Sequence, residues 1–249
     1  MNITVCLKRA PDTETRIRIQ DGGTQIDPGG VKFVMSPYDE FAMEAALRLT
    51  EASGEGEVVA LTLGDAASQE TLRSALAMGA DRALLLSGDV TMDGLATARS
   101  LAAELAEADP PLILFGVKAA DDDQQQVGPM VATLMGRPCA TGVSSFEVVD
   151  GTVVCKREVE GGTERIELPL PAVLTVTKGA FEPRYASLKG IMAAKRKPLE
   201  EKDAQAMPTR MTLERLEYPP AREEGRIVGE GPEAVQELVR LLRDEANAL

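Results

Sequence analysis

Apolar residues run without interruption at 3–7, 57–63, 83–86 and 111–115, in stretches too short for helices. A strand covered on one face alternates apolar and polar positions, whereas a strand covered on both does not. These four runs therefore predict buried strands of a sheet with helices on both sides. Between them the period becomes helical. One helix is predicted over about 37–52, with Phe41, Ala42, Ala45, Ala46 and Leu49 on one face, and others over about 67–78 and 93–107. Ser36 is placed to cap the first, Pro37 suits its opening turn, and Asp39 completes an S-x-x-D box. Strand and helix in alternation predict an α/β fold: a Rossmann-like, mostly parallel sheet with right-handed crossovers.

The pattern changes after about residue 140. Residues 143–148 and 152–156 read as strands joined by Asp150-Gly151, and a second turn at Gly161-Gly162 precedes 165–168. Residues 172–177 then read as a return strand, so a small antiparallel excursion interrupts the parallel sheet. The segment 181–197 sets Glu182 against Arg184, Lys189, Lys195, Arg196 and Lys197, 5 − 1 = +4 inside an acidic chain. With Tyr185, Leu188, Ile191 and Met192 among those charges, it reads as a docking surface rather than a linker. Residues 198–230 hold Pro198, Pro208, Pro219 and Pro220 and show little periodicity. A helix is predicted over about 232–247, with Val235, Leu238, Val239, Leu242 and Ala246 as its stripe. The division expected is an α/β domain at 1–197 and a C-terminal arm with terminal helix at 198–249. The stripe packs either on its own domain or on a partner subunit, and the pattern alone does not choose.

Composition narrows the chemistry. The chain of 249 residues has 27 Lys+Arg against 40 Asp+Glu, a net charge of −13. That balance argues against nucleic acid or an anionic membrane surface as a partner. With no histidine, Ser-His-Asp and Cys-His catalysis and His-ligated metals are excluded in their usual forms. Cys6, Cys139 and Cys155 form no CxxC pair and fit a reducing compartment as small apolar fillers. No run approaches the roughly 20 apolar residues of a membrane span. Met1 leads directly into the first strand, with no secretory signal. The expected location is the cytoplasm, or the mitochondrial matrix in a eukaryote.

In an open parallel sheet, ligands sit at the carboxyl ends of the strands. Three such ends carry suitable residues: Cys6-Leu7-Lys8-Arg9, Leu63-Gly64-Asp65, and Gly116 with the stretch through Val127. Gly64 and Gly116 let a backbone approach closely, and a helix starting near Asp123 would aim free N–H groups at a phosphate. Glycine after a strand is equally ordinary loop chemistry, and Asp121-Asp122-Asp123 reads as a cap before it reads as a metal site. G-x-G-x-x-G, G-x-x-x-x-G-K-[ST] and G-x-S-x-G are all absent. No nucleophile stands beside a base, and with no His, no Cys pair and no Trp the chain carries no redox group of its own, so a cofactor for electron transfer would have to be borrowed.

Several ordered segments resemble the β subunit of electron-transfer flavoprotein over essentially the whole chain. They are Val5-Cys6-Leu7-Lys8-Arg9, the Ser-Pro-Tyr-Asp-Glu-Phe-Ala segment at 36–42, the run 69–82, Asp121-Asp122-Asp123, the region 156–175 and the Glu-Pro-Arg-Tyr segment opening at 182. The resemblance implies an electron carrier rather than an enzyme, a heterodimer whose FAD sits mainly in an α subunit. It implies a structural AMP in this chain, contacted by Cys6, Ser36, Pro37, Tyr38, Asp39, Leu63, Gly116, Val117, Lys118, Ala119, Ala120, Asp121, Asp122, Asp123, Gln124, Gln125, Gln126 and Val127. Tyr38 is implied to lie near the flavin rim and Glu158 to pair with an Arg of the α subunit. Residues 182–197 match a recognition loop for acyl-CoA-type dehydrogenases, with Leu188 protruding and Lys189, Ile191 and Met192 beside it. Electrons would leave to a membrane quinone reductase. A bifurcating branch of the family holds a second FAD in place of AMP. Asp122 and Tyr185 stand where that branch departs, which favours AMP. The rival from another class, a free-standing adenine-nucleotide-binding protein, would need a phosphate loop after the first strand, and Lys8-Arg9-Ala10-Pro11 is not one.

Overall fold

The computed structural model describes residues 1–89, 92–221 and 224–249. Its strands are β1 (Ile3–Leu7), β2 (Arg9–Pro11), β3 (Phe33–Met35), β4 (Val58–Gly64), β5 (Arg82–Ser87), β6 (Leu112–Gly116), β7 (Cys139–Val149), β8 (Thr152–Val159), β9 (Gly162–Pro169), β10 (Ala172–Val176) and β11 (Leu199–Asp203). Its helices are α1 (Pro37–Ser53), α2 (Gln69–Met78), α3 (Gly94–Ala108), α4 (Val127–Leu134), α5 (Leu188–Ala194) and α6 (Val235–Asp244). The main sheet runs β11-β5-β4-β1-β6-β10-β7-β8-β9. Pairing is parallel from β11 to β7, and β8 and β9 extend one edge antiparallel. The return strand β10 slots between β6 and β7.

The central strands feed two cores. Ile3, Val5 and Leu7 point to the face covered by α1 and α2, with Met43, Leu72 and Leu76. Cys6, Leu61, Ile113 and Phe115 point to the face covered by α3 and α4, with Leu101, Leu105 and Val131. That is why these strands read as unbroken apolar runs. The small core helices carry alanine where they meet the sheet; Ala42, Ala45, Ala46 and Ala75 are fully buried.

Three features depart from the sequence reading. Strand β11 lies in the stretch expected to be irregular, so irregular chain begins only after Asp203. It pairs parallel with β5, Leu199 opposite Ala83. The segment read as a docking loop contains helix α5, so Leu188 opens a helix rather than standing in irregular chain. A two-stranded antiparallel sheet of β2 and β3, unforeseen, joins the end of β1 to the start of α1. Helix α6 buries no residue, and its stripe stays in solvent, Val235 being 53% and Leu238 43% exposed. The chain leading to it is tied to the domain by hydrogen bonds: Ser100 donates to the Gln205 carbonyl, Asp93 accepts from the backbone N–H of Arg210 and Met211, Leu216 N–H donates to the Gly23 carbonyl, and the Tyr218 hydroxyl accepts from Ile19 N–H.

Candidate functional site

The ends of β1 and β6 converge on the first turn of α1, and Asp39 joins them. Its carboxylate accepts the N–H of Lys8 at 2.7 Å and of Gly116 at 3.0 Å. It therefore does not close the capping box. Ser36 makes no side-chain cap either; its hydroxyl faces the Lys118 carbonyl at 3.4 Å. The reason is topological: α1 starts where two strands end, and their unpaired N–H groups compete for the carboxylate. Burial raises the Asp39 pKa from 3.8 to about 7, against the pull of the two N–H groups and of Lys8. Gly116 is glycine because α1 is so near. A Cβ there would stand 2.4 Å from Asp39 Oδ1 and 2.7 Å from Tyr38 backbone, so the close approach of α1 alone demands glycine at this position.

Charged groups crowd the same mouth. Lys8 Nζ sits 2.8 Å from both Asp121 and Asp122, and Lys118 Nζ 2.8 Å from Asp123. Burial works against the Lys8 ammonium, yet the two aspartates outweigh it and hold its pKa above the ordinary value. Lys118 also lies 5.6 Å from the centre of the Tyr38 ring. The helix expected near Asp123 starts at Val127 instead, because Asp123 and Gln125 adopt left-handed backbone, φ 53° and 56°. The aspartates thus serve as ion-pair partners and turn residues, not as helix caps. Gln124 and Gln126 bond to one another through their side chains. Cys6 is buried at the end of β1, and burial followed by the Asp39 charge pushes its thiol well up, so it is no thiolate nucleophile. Leu63 closes β4 beside it in the second core.

The structure therefore gathers Cys6, Ser36 to Asp39, Leu63 and Gly116 to Val127 around one set of strand ends. Glu158 stands apart, exposed on β8, which two strands separate from β6, and accepts from Thr163 at 3.1 Å. Leu188, Lys189, Ile191 and Met192 form a third group on α5. Leu188 is 79% and Tyr185 98% exposed. Next to them is a cavity of about 1200 Å³ between α1, α2 and residues 178–195, which shares only Pro37 with the strand-end group.

Two anchoring sets escaped sequence reasoning. Arg184 reaches buried Glu44 at 2.7 Å and also Glu51, while Arg48 pairs with Glu44 at 2.7 Å. Burial opposes the Glu44 charge, but these arginines keep its carboxyl below the ordinary value. Lys197, read as one charge of the basic docking surface, is spent on backbone carbonyls, as is Arg73. Their partners lie 117 to 124 residues away, beyond any local signal.

A family model described as electron transfer flavoprotein domain matches residues 24–207. The chain belongs to the electron transfer flavoprotein β-subunit family. It is 40% identical over 250 residues to an electron transfer flavoprotein subunit beta of Bradyrhizobium diazoefficiens, covering 100% of both chains. The same-named protein of Bacillus subtilis is 39% identical, again over 100% of both. That of Sus scrofa is 36% identical over 96% of both. The family's work is electron transfer, and its flavin implies FAD in the assembled complex. Among the described residues, no helix is long and apolar enough to cross a membrane, and no group of His, Cys, Asp or Glu is arranged to hold a metal ion.

Proposed function

We propose that this chain is the β subunit of a heterodimeric electron carrier. It takes electrons from acyl-CoA or related dehydrogenases and passes them to a membrane quinone reductase. FAD, held mainly by the α subunit, supplies the redox chemistry when bound. This chain's residues support that cofactor, hold a structural AMP and dock the partners. The observation that carries the reading is α6: an amphipathic helix with no buried residue, at the end of an arm that polar bonds from Ile19, Gly23, Asp93 and Ser100 hold to the domain upstream of the helix. An apolar stripe left in solvent calls for a partner subunit. Residues 198–249 supply that contact, the part beyond Asp203 outside the sheet, with Glu158 meeting a cation of the α subunit.

The strand-end group fits a nucleotide monophosphate on two observations. Arg9 Nε is buried without a hydrogen-bond partner just after the end of β1, and Asp123 and Gln125 in the loop 117–126 are held in left-handed backbone. Ser36, the main chain of Gly116 to Val127 and the Tyr38 ring would hold AMP. Lys8 and Lys118 are already paired with carboxylates, which makes the mouth a poor site for a more heavily charged polyphosphate. The α5 group is the dehydrogenase contact.

Co-expression with an α subunit of the family tests the assignment. The expected product is a yellow 1:1 complex, while the chain purified alone is colourless. A stable monomer that binds FAD tightly by itself would overturn it.

A further inference from the structure

We infer that Arg73 and Lys197 are positioning residues for the docking surface: each locks the end of the other's helix and so sets the pose of α5. The inference rests on the docking reading above. The Lys197 ammonium donates to the carbonyls of Leu76, Gly79 and Ala80 at 3.2, 3.2 and 2.6 Å. These are the unpaired carbonyls at the C-terminal end of α2, where a cation is favoured. In return, Arg73 of α2 donates to the carbonyls of Ala194 and Lys197 at 2.6 and 3.0 Å, where α5 ends. Neither cation has a carboxylate partner among the described residues.

The two helices leave no slack between them. A Cβ on Gly190 would lie 2.4 Å from the Ala77 carbonyl oxygen, and Ala194 is buried at 3% exposure. Ser187 caps the start of α5 by accepting from Gly190 N–H at 3.0 Å. Upstream, Arg184 is bolted to α1, and downstream Pro198 carbonyl accepts from Ala83 N–H at 3.0 Å as β11 begins. A helix of only seven residues does not persist in water on its own. Held this way, it presents Leu188, Ile191 and Met192 in one fixed arrangement, and a partner does not bear the entropic cost of ordering them.

The test uses the complex with its α subunit and an acyl-CoA dehydrogenase from the same organism. Amide hydrogen exchange is read over 188–194, alongside steady-state kinetics with the flavoprotein as substrate. Lys197→Met and Arg73→Met are each expected to speed exchange in α5 by about tenfold or more and to raise KM several-fold, with kcat and flavin content little changed. Lys189→Met removes the same charge from the open surface. It is expected to raise KM through slower encounter and to leave exchange unaltered. If Lys197→Met and Arg73→Met leave α5 exchange unaltered, or if Lys197→Met matches Lys189→Met in both readouts, the positioning role is wrong. Should Lys197→Met fail to assemble, Arg73→Met decides alone. Leu188→Ala separates the underlying reading: unchanged KM there refutes the docking surface itself, whatever the exchange data show.

Discussion

Asp39 should make the stability of this chain depend on pH in a direction opposite to most carboxylates. Its folded-state pKa is raised from 3.8 to about 7, so between those values the folded chain keeps a proton that the unfolded chain has lost. The folded state then binds more protons than the unfolded state, and stability falls as pH rises through this window. Near pH 4 the contribution is fully present; above about 7 it is gone. The gap between 3.8 and about 7, at roughly 1.4 kcal/mol per pH unit, is on the order of 4 kcal/mol. Lys8, Asp121 and Cys6 are the other charged or titratable groups that bear on it, and only Lys8 favours the ionised form. Asp39→Asn removes the titration. It keeps an oxygen for one of the two N–H donors and leaves the other unpaired, a cost of about 1–3 kcal/mol at every pH. The difference between the two proteins should therefore change by about 3 kcal/mol from pH 4.5 to 8, always in favour of the variant as pH rises. For a chain of this length that is a relative shift of roughly 6–12 °C in melting temperature. Melting curves of both proteins across this range measure it, and the other titrating groups cancel in the comparison. Parallel Tm profiles would refute the argument, since they would mean that the two N–H bonds hold Asp39 ionised throughout.

Leu188→Ala should weaken electron transfer from a partner dehydrogenase by roughly 5- to 150-fold in apparent affinity, about 1–3 kcal/mol. Because the side chain is 79% exposed, Tm and flavin content should not move; a drop of several degrees would mark it as a packing residue. Gly116→Ala should lower Tm even without nucleotide, by the equivalent of about 1–3 kcal/mol, since its Cβ meets the backbone of Tyr38 and Asp39. A variant that melts normally yet loses nucleotide would restore the ligand-approach role. Denaturing the complex should release about one AMP per chain, measured by chromatography and mass; two FAD per complex would identify the bifurcating type instead.

The parallel core was legible because burial on both faces leaves an unmistakable mark: runs such as Ala83 to Leu86 have no polar position to confuse the period. Helix limits came within a few residues where a cap or glycine fixed them, as Asp93 does for α3 through its bond to Ala96. The edge strand β11 was not legible. Leu-Glu-Glu-Lys-Asp carries the charges that protect a sheet edge, and those charges hide the strand. Lys202 even pairs across to Glu104 of α3 at 2.9 Å. At the strand ends the sequence picked out segments that the fold does bring together, but it misread the hydrogen bonding of Asp39. Asp39 had the spacing of a helix cap, and only the convergence of β1 and β6 shows which N–H groups claim it. Arg184 and Lys197 looked like free surface charge for the same reason: their partners belong to other elements.

The pairing of β11 with β5 also orders events in time. Leu199 meets Ala83 across more than a hundred intervening residues, and contacts so distant in sequence form slowly and late. During synthesis the strand leaves the ribosome after every other strand of the sheet. Helix α5 immediately precedes it and packs on α2. The proposed docking surface is thus finished only as the last edge strand of the sheet closes beside it. On the proposed docking role, a chain whose β11 edge has failed to close offers no finished surface to a partner, so the order of folding itself would screen which molecules can dock.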